Sequence, residues 1–197
     1  GNYNPKTARM YEDLGLMSAD DQLGEDLNKL FNQLSGFAPQ YSYERLLVAP
    51  RTIRSGLLER INREIDNKKA GKHAFIRLKL NSLLDEEFVE ALYAASIAGV
   101  EIDLVVRGIC SLLPGIPGVS ENIRVRSVLG RFLEHSRIFH FANGGDDEIY
   151  IGSADLMDRN LNRRVESLVR ITRAEHKKAL VKAFDLYVSS TTSGWHL

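Results

Sequence analysis

Cysteine is almost missing: Cys110 is the single thiol in 197 residues. One thiol excludes an internal disulfide and every cysteine-based metal spacing. A reducing, cytoplasmic setting fits such a chain. Long apolar runs are lacking too. None approaches the ~20 residues that cross a bilayer, and no signal-peptide pattern opens the sequence. The chain is expected to have no membrane span, while association with a membrane surface stays open. Net charge is also absent, since 26 Lys+Arg balance 26 Asp+Glu. No global field advertises a nucleic-acid partner, and none is expected. Lysine itself is missing from one long stretch. Between Arg107 and Glu166 every basic residue is arginine, at 107, 124, 126, 131, 137, 159, 163 and 164. Arginine grips phosphate through two parallel hydrogen bonds, which suits a polyanion. The same arginines can equally pair with the acids of that stretch, such as Glu121, Glu134, Asp158 and Glu166, and both roles stay open.

What is present supports one domain, or one domain with an appended segment. Residues 1 to 45 read as irregular or helical. Leu23, Leu27, Leu30 and Phe31 recur at helical spacing within Asp20 to Phe31, with Ser18 as cap and Gly36 as stop. Residues 36 to 42 read as a linker, and LLVA at 46 to 49 as a short strand ended by Pro50. A helix capped by Thr52 follows, with Ile53, Leu57, Leu58, Ile61 and Ile65 as its apolar stripe and Gly71 as its end. AFIRLKL at 74 to 80 alternates like a strand. Asp85 opens a second helix that Gly99 stops, and VEIDLVV at 100 to 106 is another strand. This βαβ pattern predicts an α/β fold with a parallel sheet and helices on its faces. Ligands sit at the carboxyl ends of such strands, which places Arg107 and Asn81 at a ligand edge. Short strands are predicted at 123 to 128, 137 to 142, 148 to 151 and 165 to 171, with a turn at Asn143-Gly144-Gly145-Asp146. A last helix from Arg173 to Tyr187 should bury Leu180, Phe184 and Tyr187, leaving a frayed end in which Trp195 is out of place.

The chemistry concentrates in His135-Ser136-Arg137, Gly152-Ser153-Ala154-Asp155, Arg159-Asn160 and Glu166. Imidazole can act as nucleophile or acid. Arg137 can hold phosphoryl oxygens, and a Gly-Ser turn allows close approach. Taken alone, His135 could also be a structural histidine between Leu133 and Ile138. His73, His140, His176 and His196 lack any such constellation, and Cys110 has no base or metal partner.

The segment from His135 to Glu166 resembles the second signature of the phospholipase D superfamily, His-x-Lys followed by Gly-Ser, Asn and an acid. Two departures stand out: Arg137 replaces the Lys, and Asp155 replaces an Asn. With GNYNPKTARMYEDLGL (1–16), VRGICSLLPGIPGVSENIRVRSVLGRFLEHSRIFHF (106–141) and YIGSADLMDRNLNRRVE (150–166), the chain resembles one branch in particular, the polyphosphate kinase family.

That resemblance implies a phospholipase D-like mixed sheet with helices on both faces. Residues 1–42 would be the truncated tail of a first half and 43–197 the second catalytic domain. It implies reversible transfer of the terminal phosphate of ATP to inorganic polyphosphate, with ATP, ADP and polyphosphate as partners. The transfer would run through a phosphohistidine about twenty residues before Gly1, with Mg²⁺ ligands upstream too, so none in this chain. It carries ATP contacts onto Tyr11, Arg107 and His135, the last also catalytic, and supporting roles onto Asn2, Arg137, Ser153, Asp155, Arg159 and Glu166. It also implies a homo-oligomer, and a fragment without turnover of its own. The alternatives are a phospholipase D-like phosphodiesterase or nuclease, and a non-catalytic assembly fragment.

Overall fold

Alternation builds the centre of the molecule. The computed structural model of the chain describes residues 4–36, 42–189 and 192–196. In β3 (Phe75–Leu80), Ile76, Leu78 and Leu80 bury toward one face while Arg77 and Lys79 turn to the other. β4 (Glu101–Val106) repeats this, with Ile102, Leu104 and Val106 on the first face and Val105 on the second. Two helices cover the first face. α2 (Ile53–Lys69) contributes Ile53, Leu57 and Ile61, and α3 (Glu86–Ile97) contributes Phe88, Leu92 and Ala95. The second face is covered by α4 (Ala174–Val188), through Leu180 and Phe184, and by Leu14 and Leu16 of the amino-terminal segment.

Four further strands belong to the same sheet: β2 (Leu46–Val48), β5 (Ile123–Val128), β7 (Ile138–Phe141) and β8 (Glu148–Gly152). With β9 (Ser167–Ile171) and β10 (Gly194–His196) the order is β10-β5-β4-β3-β7-β8-β9-β2. Only β3, β4 and β5 pair in parallel; every other contact in this sheet is antiparallel. Helices on both faces of a mixed sheet are thus as expected, but the parallel run is shorter than the βαβ pattern predicts. β2 does not join β3. It lies at the far edge, antiparallel to β9. The four residues of β7 are all buried and take the β3 edge instead, which removes more apolar surface than three-residue β2 could.

Local chemistry explains the other differences. α1 (Asp21–Leu34) is capped by Asp20, whose carboxylate accepts from the Leu23 amide at 2.9 Å, and not by Ser18. The Ser18 hydroxyl instead accepts from the Asp20 amide. Thr52 makes no side-chain cap; its hydroxyl turns back and accepts from the Val48 amide at 2.8 Å. Fully buried Asp26 of α1 accepts from the amides of Glu44, Arg45 and Leu46, which fixes where β2 starts. The carboxy-terminal end is not simply frayed, because β10 extends the sheet beside β5, with Trp195 67% exposed. Tyr187 is half-buried. The linker expected at 36–42 lies mostly outside the described residues.

A buried ion cluster ties α2 to the antiparallel half. Glu148, 2% exposed, meets Arg60 at 3.0 Å, Arg63 at 2.7 Å and Arg170 at 3.4 Å, and accepts from the Tyr150 hydroxyl at 2.7 Å. Burial pushes its carboxyl up, but Tyr150 and the arginines outweigh that and hold it at about 2 instead of the ordinary 4.5. A depressed folded value stabilises the protein fully above about 4.5, and the contribution is lost as pH falls toward about 2. The shift corresponds to about 3 kcal/mol. Glu148→Gln should therefore melt earlier at neutral pH and lose stability less steeply between those two pH values, as thermal denaturation followed by circular dichroism would read.

Candidate active site

His135 lies in the short connection between β6 (Leu133–Glu134) and β7. A second, two-stranded sheet brings it its partner. β1 (Tyr11–Glu12) runs parallel to β6, with Tyr11 opposite Leu133 and Glu12 opposite Glu134. Backbone bonds continue the pairing, from the Leu133 amide to the Met10 carbonyl and from the His135 amide to the Glu12 carbonyl. The next residue, Asp13, then reaches His135 Nδ1 at 3.0 Å. Sequence reasoning read residues 1 to 45 as irregular or helical. It missed both β1 and Asp13, since a two-residue strand carries no periodicity.

The ring's proton can be assigned from its neighbours. Arg137 Nη1 stands 3.2 Å from His135 Nε2 and also donates to the His135 carbonyl at 2.8 Å. Arginine only donates, so Nε2 is the acceptor and the neutral ring carries its hydrogen on Nδ1, facing the Asp13 carboxylate. A carboxylate that orients an imidazole in this way also stabilises the imidazolium when Nε2 takes a proton. Tyr11 packs edge-on against the ring, with centroids 5.0 Å apart and planes at 88°.

A chain of polar contacts runs on from Arg137. Its Nη2 and Nε reach Asp155 at 2.9 and 3.3 Å, a bidentate pair. Asp155 accepts from the Asn81 amide at 2.7 Å, and Asn81 Oδ1 accepts from Arg107 Nε at 3.1 Å. Arg107 makes this contact through Nε, and no ion pair of its guanidinium is present among the described residues. Gly108 is required beside it, since a Cβ there would lie 2.8 Å from the Asn81 carbonyl oxygen. The sheet edge expected to carry Arg107 and Asn81 does carry them, and both connect to His135.

The pocket in front of His135 encloses about 300 Å³ between Asp13, Leu16, Arg137, Ile151 and Ser153. Gly152 is explained by packing rather than by ligand approach: a Cβ would sit 2.0 Å from the Ser167 carbonyl oxygen of β9. Ser153 is spent the same way, its amide bonding the Ser167 carbonyl and its hydroxyl accepting from the Ser167 amide at 3.3 Å.

The remaining candidates are not brought to the ring. Glu166 is buried and accepts from Asn160 at 2.8 Å. Arg159 is exposed at the start of a single π-helical turn, Arg159–Arg163. Arg163 pairs with Asp158, and Arg164 comes to 4.0 Å from Glu166. Asn2 lies outside the described residues. His140 is a structural histidine, buried and 2.8 Å from Asp147. Cys110 is half-buried, and burial pushes its thiol up, which keeps it unreactive.

The carboxylates here do not fit a magnesium ion. Asp13 is turned to His135, Asp155 is gripped by Arg137, and Glu12 meets Lys79 at 3.4 Å. Among the described residues no group of three or more His, Cys, Asp or Glu could hold a metal. No helix among them is long and apolar enough to cross a membrane. The proton assignment is open to direct test. Long-range nitrogen–proton NMR of the labelled chain should show the neutral form of the His135 ring carrying its hydrogen on Nδ1. A ring protonated at Nε2 would contradict it.

The family described as polyphosphate kinase C-terminal domain 2 matches residues 46–197, and C-terminal domain 1 matches residues 1–40. The chain is similar to the polyphosphate kinase of Streptomyces coelicolor, 58% identical over 100% of this chain and 26% of that protein. It is 53% identical to that of Mycolicibacterium gilvum, across 100% of this chain and 27% of that one. The chain thus spans about a quarter of the length of these relatives. The crystal structure of polyphosphate kinase from Porphyromonas gingivalis superposes with a TM-score of 0.95 at 40% identity, covering 100% of this chain and 30% of that one. Nuc from Salmonella typhimurium, a phospholipase D family member, superposes with a TM-score of 0.54 at 13% identity, across 77% of this chain and 96% of that one. At that identity the likeness is one of fold.

Proposed function

The chain belongs to the polyphosphate kinase family, and from that premise we propose that it forms the carboxy-terminal catalytic portion of an ATP:polyphosphate phosphotransferase. The whole enzyme would move the terminal phosphate of ATP reversibly to inorganic polyphosphate, through a phosphohistidine outside this chain. The division between the first half and the second catalytic domain would fall near residues 42–43, in keeping with the two family matches.

One observation carries the site assignment: Arg107 and His135 are the two ends of a single bonded chain, through Asn81, Asp155 and Arg137. Phosphoryl transfer asks mainly for positioning and for donors where charge develops. In this reading Arg107 holds phosphate oxygens of the nucleotide, and Tyr11 offers it a flat face or a phenol. His135 passes a proton between Nε2 and the oxygen that leaves or attacks. Protonation at Nε2 ends the Arg137 contact, because two donors cannot share it. The proton that arms His135 thereby frees an Arg137 N–H for the pocket. Asp13 holds the charged ring in place throughout.

The test uses the chain extended upstream through the domains that its relatives carry. Incubated with ATP and Mg²⁺, that protein should lengthen polyphosphate, seen as growth of the internal-phosphate signal in phosphorus NMR. His135→Ala should cut the rate on the order of 10²–10⁴-fold. The 197-residue chain alone should give no turnover. Absence of polymer from the extended native protein, with cleavage of a phosphodiester instead, would favour a phosphodiesterase.

A further inference from the structure

Lys79 looks like an ordinary strand lysine in the sequence, yet its side chain is 2% exposed. The alternation of β3 turns it away from α2 and α3, toward the face that α4 and the amino-terminal segment cover. There its ammonium lies 4.7 Å from the Tyr187 ring centroid. It donates to the Ser136 carbonyl at 3.1 Å and to the Ser136 hydroxyl at 2.8 Å. It also meets the carboxylates of Glu134 at 3.2 Å and Glu12 at 3.4 Å.

The identities of those partners matter more than their number. Glu134 and Ser136 flank His135, and Glu12 precedes Asp13, the acceptor for the His135 ring. Glu12 and Glu134 are also directly opposite each other in the β1–β6 pair. Like charges in that position push strands apart, and the ammonium set against both removes the repulsion. The Ser136 hydroxyl closes the loop by donating to Glu12 at 2.8 Å. Lys79 itself touches neither the ring nor the pocket before it.

We propose that Lys79 is a positioning residue, whose buried ammonium fastens β1 to the His135 connection and so sets the Asp13–His135–Arg137 alignment. Its kinetic consequence rests on the phosphotransferase reading; its geometric consequence does not.

Two measurements separate them, each on native protein, Lys79→Met and Lys79→Arg. In the 197-residue chain, the Lys79→Met variant should keep its fold by circular dichroism while His135 loses the Nδ1-protonated NMR signature of the native ring. In the upstream-extended enzyme, the same change should lower kcat on the order of 10²-fold, the usual effect of about 1 Å of misplacement. KM for ATP should move far less, because Lys79 does not line the pocket before His135. Lys79→Arg keeps the charge and should recover most of both signals. If Lys79→Met does not fold, Ser136→Ala takes its place, removing the hydroxyl link while leaving the cation, and should blur the same signature. A folded Lys79→Met chain with native ring signature and native kcat would overturn the proposal, even if it melted early. If the extended native enzyme makes no polymer, the phosphotransferase reading fails, and the NMR comparison alone decides the role of Lys79.

Discussion

Two residues of parallel strand hold this site together. Without the β1–β6 pairing, His135 would be a half-buried imidazole in a short connection, with only Arg137 beside it. With that pairing, a carboxylate 122 positions away lies 3.0 Å from its Nδ1, and an aromatic edge limits the ring's rotation. The eight-stranded sheet supplies the rigid platform, but the residues that give the histidine an orientation come from outside it. That division suits the acid–base role proposed for His135, since such a group needs its rotamer fixed by its neighbours.

The electrostatics of the site alternate along its length: Arg107, Asn81, Asp155, Arg137, His135, Asp13. Each anion in the series meets a donor, and each donor but the outermost is shared. The two departures from the phospholipase D pattern become intelligible here as one exchange. A guanidinium fork in place of a lysine needs two oxygens side by side, and an aspartate in place of an asparagine provides them. Asp155 is thereby turned to Arg137 and holds its guanidinium in place. Ser153 and Gly152 are likewise explained by the close passage of β9. Part of the motif is therefore scaffold for the rest of it.

Much of the fold was legible because alternation and helical spacing report which face is buried. β3, α3, β4 and β5 fall within a residue or two of where the pattern puts them. The failures have a common cause. The edge of β3 is claimed by whichever strand buries more apolar surface there, and periodicity in LLVA does not reveal that IFHF is the stronger competitor. Thr52 and Ser18 look like caps because hydroxyls before helices often are, yet each finds a nearer backbone partner. At the site, His135, Arg137, Asp155, Arg107 and Asn81 were readable from residue type and position at strand ends. Asp13 and Lys79 were not, since their contacts exist only after chain segments far apart in sequence meet. Arg159 and Glu166 show the reverse case: they belong to the same run of sequence yet stand away from the ring.

The shortness of β1 has a consequence for the order in which structure is gained and lost. Its pairing with β6 spans two residues and rests on very few backbone hydrogen bonds, so few contacts hold the segment in place. Such a segment opens far more readily than the central strands, in local excursions that leave the rest of the sheet intact. The aspartate and the histidine part company in each excursion. On the proposed acid–base role of His135, a chain with its sheet formed and its amino-terminal segment adrift would look native by most spectroscopic measures and yet lack the Asp13–His135 pair.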